Sequence, residues 1–94
     1  MESRLKNKIV IITGGNGLLG KVIIDRLKSE GAFCINFDIN HDTDEVLSKV
    51  YCDITDSDSV DNALSLVFSK YCRVDGLVNN AYPIVSSGIK QGEW

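Results

Sequence analysis

Residues 9–20, IVIITGGNGLLG, constrain the fold more than any other stretch of the chain. Four consecutive β-branched residues, Ile9 to Ile12, read as a short strand buried on both faces. Thr13 follows, and Gly14, Gly15, Gly17 and Gly20 then punctuate a turn into a helix. In a βαβ unit that binds a dinucleotide, one glycine serves the sharp turn off the strand. A second lets the backbone approach a pyrophosphate, and a third lets helix and strand pack closely. The N–H groups at the start of the helix then face the anion. The same residues could form a glycine-rich turn with no ligand; the strand before and the helix after favour the phosphate cradle.

Ninety-four residues fit one small domain or part of a larger one. The net charge of −3, without a Lys/Arg cluster, argues against a nucleic-acid partner. The aliphatic run Ile9–Ile12 is too short for a signal-peptide core or a membrane span, so a cytoplasmic protein with no membrane partner is the expectation. Cys34, Cys52 and Cys72 show no CxxC or His pairing and read as buried thiols in a reducing compartment. With His41 the only histidine, no metal site is expected.

In order along the chain, Met1–Lys8 is a polar lead-in and the first strand covers Lys8–Thr13. The next helix shows Leu18, Leu19, Val22, Ile23 and Leu27 as its apolar face, with Lys21, Asp25, Lys28 and Glu30 opposite. Gly31 suits the position just past its end. Ala32–Asp38 reads as a second strand, and Asn40–Val46 as a polar loop with room for one helical turn. Ser48–Asp53 reads as a short third strand.

Asp56 or Ser57 can cap the following helix, whose apolar face is Val60, Ala63, Leu64, Val67, Phe68 and Tyr71. Asp75–Asn79 forms a fourth strand, and a loop runs from Ala81 to Trp94. The succession predicts an α/β doubly wound parallel sheet, with strands in the order 3-2-1-4 and a ligand crevice between strands 1 and 4.

Asp38, at the carboxyl end of the second strand, can accept hydrogen bonds from the adenosine ribose hydroxyls, or it is simply an acid that opens a loop. Its carboxylate would repel a 2′-phosphate: two unit charges ~4 Å apart interact by about 4 kcal/mol at an effective dielectric near 20. No Arg or Lys in the glycine loop or at positions 39–40 offsets this, so NAD is expected over NADP. Asp53 can accept from the adenine amino group while the Ile54 backbone reads the ring edge; an acid at a strand end is also common without a ligand. Asn79, Asn80 and Ala81 either tie strand ends together and line the cofactor ribose or form an Asx turn.

Four such features in this order resemble the short-chain dehydrogenase/reductase family. The matching residues are Thr13-Gly14-Gly15-Asn16-Gly17-Leu18-Leu19-Gly20, Asp38, Cys52-Asp53-Ile54 and Asn79-Asn80-Ala81-Tyr82-Pro83. The resemblance implies a Rossmann-type fold, a nicotinamide cofactor and reversible oxidation of an alcohol to a ketone. It further implies that the backbone of Asn16, Gly17, Leu18 and Leu19 holds the pyrophosphate and Asp38 the ribose. By position, Asp53 and Ile54 would meet the adenine, and Asn80 and Ala81 the ribose nearer the nicotinamide.

Three departures accompany it. The glycine spacing TGxxGxxG is similar to that of the extended, sugar-nucleotide-modifying branch, whereas Asn79-Asn80-Ala81 is the single-domain hallmark. Tyr82-Pro83 is similar to a subgroup associated with flagellin modification and surface-polysaccharide sugar synthesis. The family's catalytic Ser and YxxxK pair lie in a later strand and helix, and here the residues four positions after Tyr51, Tyr71 and Tyr82 are Thr55, Asp75 and Ser86.

The expectation is therefore that residues 1–94 are the cofactor-binding half of a longer NAD-dependent oxidoreductase, inactive alone. The parent enzyme, acting on a small-molecule substrate, is expected to be a homo-oligomer. A non-catalytic dinucleotide-binding module and a sugar-nucleotide epimerase or dehydratase are the alternatives. The fourth strand, at the sheet edge, is expected to be under-covered and to leave the chain marginally stable or paired along that edge.

Overall fold

Sequence patterns of this kind, alternating short β-branched runs with amphipathic segments, yield a parallel sheet sandwiched by helices. The computed structural model describes residues 4–81, so the loop expected beyond Ala81, with Tyr82 and Pro83, lies outside the described residues. The elements are β1 (Ile9–Thr13), α1 (Leu18–Ser29), β2 (Phe33–Asp38), β3 (Lys49–Tyr51), α2 (Ser57–Tyr71) and β4 (Gly76–Val78). All three strand pairings are parallel, in the order β3-β2-β1-β4, as the sequence predicts. The fold is a Rossmann-like, doubly wound sheet.

Alternation along the strands sends neighbouring side chains to opposite faces of the sheet. Ile11, Ile35, Phe37, Val50 and Cys52 pack with Ala63 and Val67 of α2 in one core. Val10, Ala32 and Cys34 pack with Ile24 and Leu27 of α1 in the other. Among the described residues β4 lies at the edge of the sheet, and its Leu77 is 59% exposed.

The inward stripe of α1 differs from the expected one. Leu18, Leu19 and Val22 are exposed, and the helix turns Gly20, Ile24 and Leu27 to the sheet. Gly20 lies against the backbone of Gly14 and Gly15, and that contact fixes the rotation of the helix. At ~100° per residue Ile24 and Leu27 lie within about 40° of Gly20, whereas Leu18 and Val22 lie about 160° away.

Glu30, expected on the polar face, is instead the buried C-cap, where its side chain meets Arg26 and the Arg4 N–H. Gly31 has a φ of +94°. Its N–H bonds to the Lys28 carbonyl and the Ala32 N–H to that of Leu27, which is a Schellman ending.

Asp56 caps α2 by accepting from the Asp58 N–H. Ala63 and Val67 are buried, with Val60, Leu64 and Tyr71 packed against the core. Phe68 is 48% exposed, because it lies at the margin of the stripe, ~100° around the helix from Val67. The loop after β2 contains no helical turn. Tyr71 and Lys70 pin it by hydrogen bonds to the Val46 and Glu45 carbonyls. Cys34 and Cys52 are buried, and burial pushes both thiols up. Cys72 departs from the expectation: it ends α2 in the left-handed conformation, and this turn out of the helix leaves it exposed.

Candidate functional site

The carboxyl ends of β1, β2 and β4 converge on the glycine loop, residues 14–17. Gly14 turns the chain off β1 with a φ of +68°, and a Cβ there would come within 2.9 Å of Ala81. The loop is fastened to β2 by three successive N–H groups. Gly14 donates to the Phe37 carbonyl at 2.8 Å, Gly15 to Asn36 Oδ1 at 2.8 Å, and Asn16 to Asp38 Oδ2 at 3.1 Å. Asn36 and Asp38 share one face of β2 because they are two residues apart, and each reaches the loop that crosses it.

Beyond these ties the loop opens. Gly17 is the N-cap of α1, no side chain among the described residues caps the helix, and no acidic residue stands in its first turn. The N–H groups of Leu18, Leu19 and Gly20 have no hydrogen-bond partner among the described residues. A helix start of this kind carries partial positive charge, which an anion can meet without displacing a side-chain cap. Among the described residues, a Cβ on Gly17 would have only the Gly14 carbonyl oxygen nearby, at 3.6 Å. The surface above the helix start is therefore open and positive.

Asp38 sits beside this opening, 8% exposed, with Oδ2 on the Asn16 N–H and Oδ1 on the Asn40 N–H at 3.0 Å. A carboxylate has about four acceptor positions, so further donors can still be accepted. Asp53 follows β3; its Oδ1 accepts from both the N–H and the hydroxyl of Thr55, at 2.9 and 2.6 Å. Those bonds, the hydroxyl's foremost, hold its carboxyl below the usual carboxylate range. Ile54 beside it is partly exposed.

Where β4 ends, Asn80 and Ala81 both donate their N–H groups to Thr13 Oγ1, at 3.1 and 3.0 Å. Asn80 Nδ2 donates to the Gly14 carbonyl at 3.0 Å. Asn80 therefore ties the two strand ends, while Asn79 is exposed and makes no side-chain hydrogen bond among the described residues.

Thr13, Asn36 and His41 were not among the candidate site residues, yet each holds the loop. Thr13 is legible in retrospect as a hydroxyl at a strand end, directly before glycine. Removing it has a defined cost: Thr13→Val leaves the Ala81 N–H without its acceptor and the Asn80 N–H with the Val78 carbonyl alone. The expected loss is about 1–3 kcal/mol of stability, read from urea unfolding. An unchanged midpoint would mean that these bonds contribute nothing.

The chain as a whole matches a known family. A family model described as short chain dehydrogenase matches residues 8–90. The chain is 29% identical over 92 residues to post-translational flagellin modification protein A of Campylobacter coli, covering 85% of this chain and 36% of that protein. In structure it is similar to ligand-free aldohexose dehydrogenase of Thermoplasma acidophilum, with TM-score 0.74 and 31% identity over 100% of this chain and 38% of that one. It is also similar to 3-ketoacyl-(acyl-carrier-protein) reductase from Brucella melitensis complexed with NADH. There the TM-score is 0.71 with 27% identity, covering 95% of this chain and 42% of the reductase. The chain spans about a third of the length of the curated relatives it matches. A family match over nearly the whole sequence, on a sheet of the same kind as these neighbours, leads to one conclusion: the chain belongs to the short chain dehydrogenase family.

Proposed function

We propose that residues 1–94 form the cofactor-binding half of an NAD-dependent oxidoreductase that moves a hydride between the cofactor and an alcohol or ketone. The observation that carries this reading is the uncapped start of α1, with open space above Gly17 and no acid in the first turn. The N–H groups over Asn16, Gly17, Leu18, Leu19 and Gly20 include those that would face the pyrophosphate, with Gly14 shaping the turn. Asp38 would take the adenosine ribose, Asp53 and Ile54 the adenine, and Asn79, Asn80 and Ala81 the end nearer the nicotinamide. When bound, the nicotinamide supplies the hydride acceptor or donor. The chain's own residues bind and orient it.

A sugar-derived substrate is supported by the likeness to an aldohexose dehydrogenase. The choice of NAD rests on Asp38, whose buried carboxylate stands where a 2′-phosphate would add a second negative charge. Asp38→Asn removes the charge and keeps an acceptor oxygen for one of its two backbone N–H partners, so the readout is a ratio of affinities. In calorimetric titrations the ratio of NADP to NAD dissociation constants should fall at least tenfold, a shift of about 1.4 kcal/mol. A ratio that stays constant, or a wild-type chain that prefers NADP, would overturn the assignment.

A further inference from the structure

We propose that His41 is a positioning residue of the phosphate loop, acting through the side chain of Asn16. The inference rests on reading that loop as the cofactor's phosphate cradle. Four hydrogen bonds connect the loop to β3 in a single direction. The Gly15 N–H donates to Asn36 Oδ1 at 2.8 Å, and Asn36 Nδ2 donates to Asn16 Oδ1 at 3.0 Å. Asn16 Nδ2 lies 3.1 Å from His41 Nδ1, and His41 Nε2 lies 3.0 Å from the Val50 carbonyl oxygen.

The two ends of this chain are backbone groups whose roles cannot reverse. An N–H can only donate, so Asn36 must present its oxygen to Gly15 and its NH₂ to Asn16. Asn16 must then present its oxygen to Asn36 and its NH₂ to His41. A carbonyl can only accept, so His41 must donate from Nε2 and accept at Nδ1. The assignment of both amides and of the imidazole tautomer follows from that constraint.

The imidazole is thereby held with Nε2 as its donor and Nδ1 as its acceptor. A proton on Nδ1 would face the Asn16 NH₂, donor against donor, and turning the amide would pass the conflict to Asn36 and on to Gly15. With its side chain held at both ends and its own N–H on Asp38, Asn16 is fixed next to Gly17, where the loop opens. His41 does not need to touch the cofactor for this.

Two readouts on the full chain test the proposal. The ¹⁵N spectrum of the histidine should show Nε2 protonated and Nδ1 as a bare acceptor; an Nδ1–H tautomer would overturn it whether or not any variant folds. In titrations with NAD, His41→Phe should weaken binding about tenfold, the equivalent of one hydrogen bond in a coupled network. His41→Asn, whose carbonyl can accept from Asn16, should recover most of that loss. In an Asn16→Ala background His41→Phe should add less than twofold, because the route through Asn16 is already gone. Unchanged affinity in His41→Phe, or full additivity with Asn16→Ala, would overturn the role. A folded wild-type chain that takes up neither NAD nor NADP would count against the cofactor reading, and the tautomer would still decide the relay.

Discussion

Gly20→Ala is expected to destabilise the chain by about 3 kcal/mol, although alanine is the better helix former by ~1 kcal/mol. The added Cβ would stand 2.5 Å from the Gly14 oxygen and 2.6 Å from the Gly15 Cα. Both are backbone atoms, so no rotamer change relieves the contact. The loop cannot retreat either, because Gly14, Gly15 and Asn16 are each hydrogen-bonded to β2. Either α1 lifts off the sheet, opening the core around Ile24 and Leu27, or the loop loses its ties. For a domain of this size the midpoint should fall by more than about 10 °C in a thermal melt. A variant that melts higher than wild type would show that propensity governs and that the close approach is dispensable.

Gly17→Asp should move stability and binding in opposite directions. Gly17 has an ordinary extended backbone, with φ −74° and ψ 171°, and nothing among the described residues comes closer than 3.6 Å to its missing Cβ. An aspartate at this N-cap can accept from the free N–H groups of α1 and sits at the positive end of the helix dipole. It should stabilise the chain by about 0.5–1 kcal/mol. The same carboxylate occupies the position assigned to the pyrophosphate and repels it, so NAD affinity should fall at least a hundredfold. Thermal melting and calorimetric titration of the one variant read both effects. Improved stability with intact binding would detach the helix start from the cofactor.

These two glycines show what the sequence makes legible. Strand order, the parallel sheet and the Asp56 cap follow from local pattern: β-branched runs, a helical repeat at 60–71 and glycine punctuation. The face that α1 buries does not, because periodicity gives the width of an apolar stripe and not its phase. The contact of Gly20 with Gly14 and Gly15 sets that phase, and it leaves Leu18 87% exposed.

The parts played by Asn36 and His41 are not legible in the sequence for a related reason. A polar residue in an apolar strand and a lone histidine in a loop carry no periodic signal. Their meaning lies in partners far away in the sequence. Asp38 stands out in the sequence as a strand-end acid after a glycine loop, but its bond to the Asn16 N–H carries no sequence signal.

The most direct measurement is a calorimetric titration of the purified chain with NAD and, separately, NADP, with circular dichroism recorded on the same sample. Saturable uptake of one NAD per chain is expected, with NADP bound more weakly. A chain that is folded by circular dichroism and takes up neither nucleotide would contradict it.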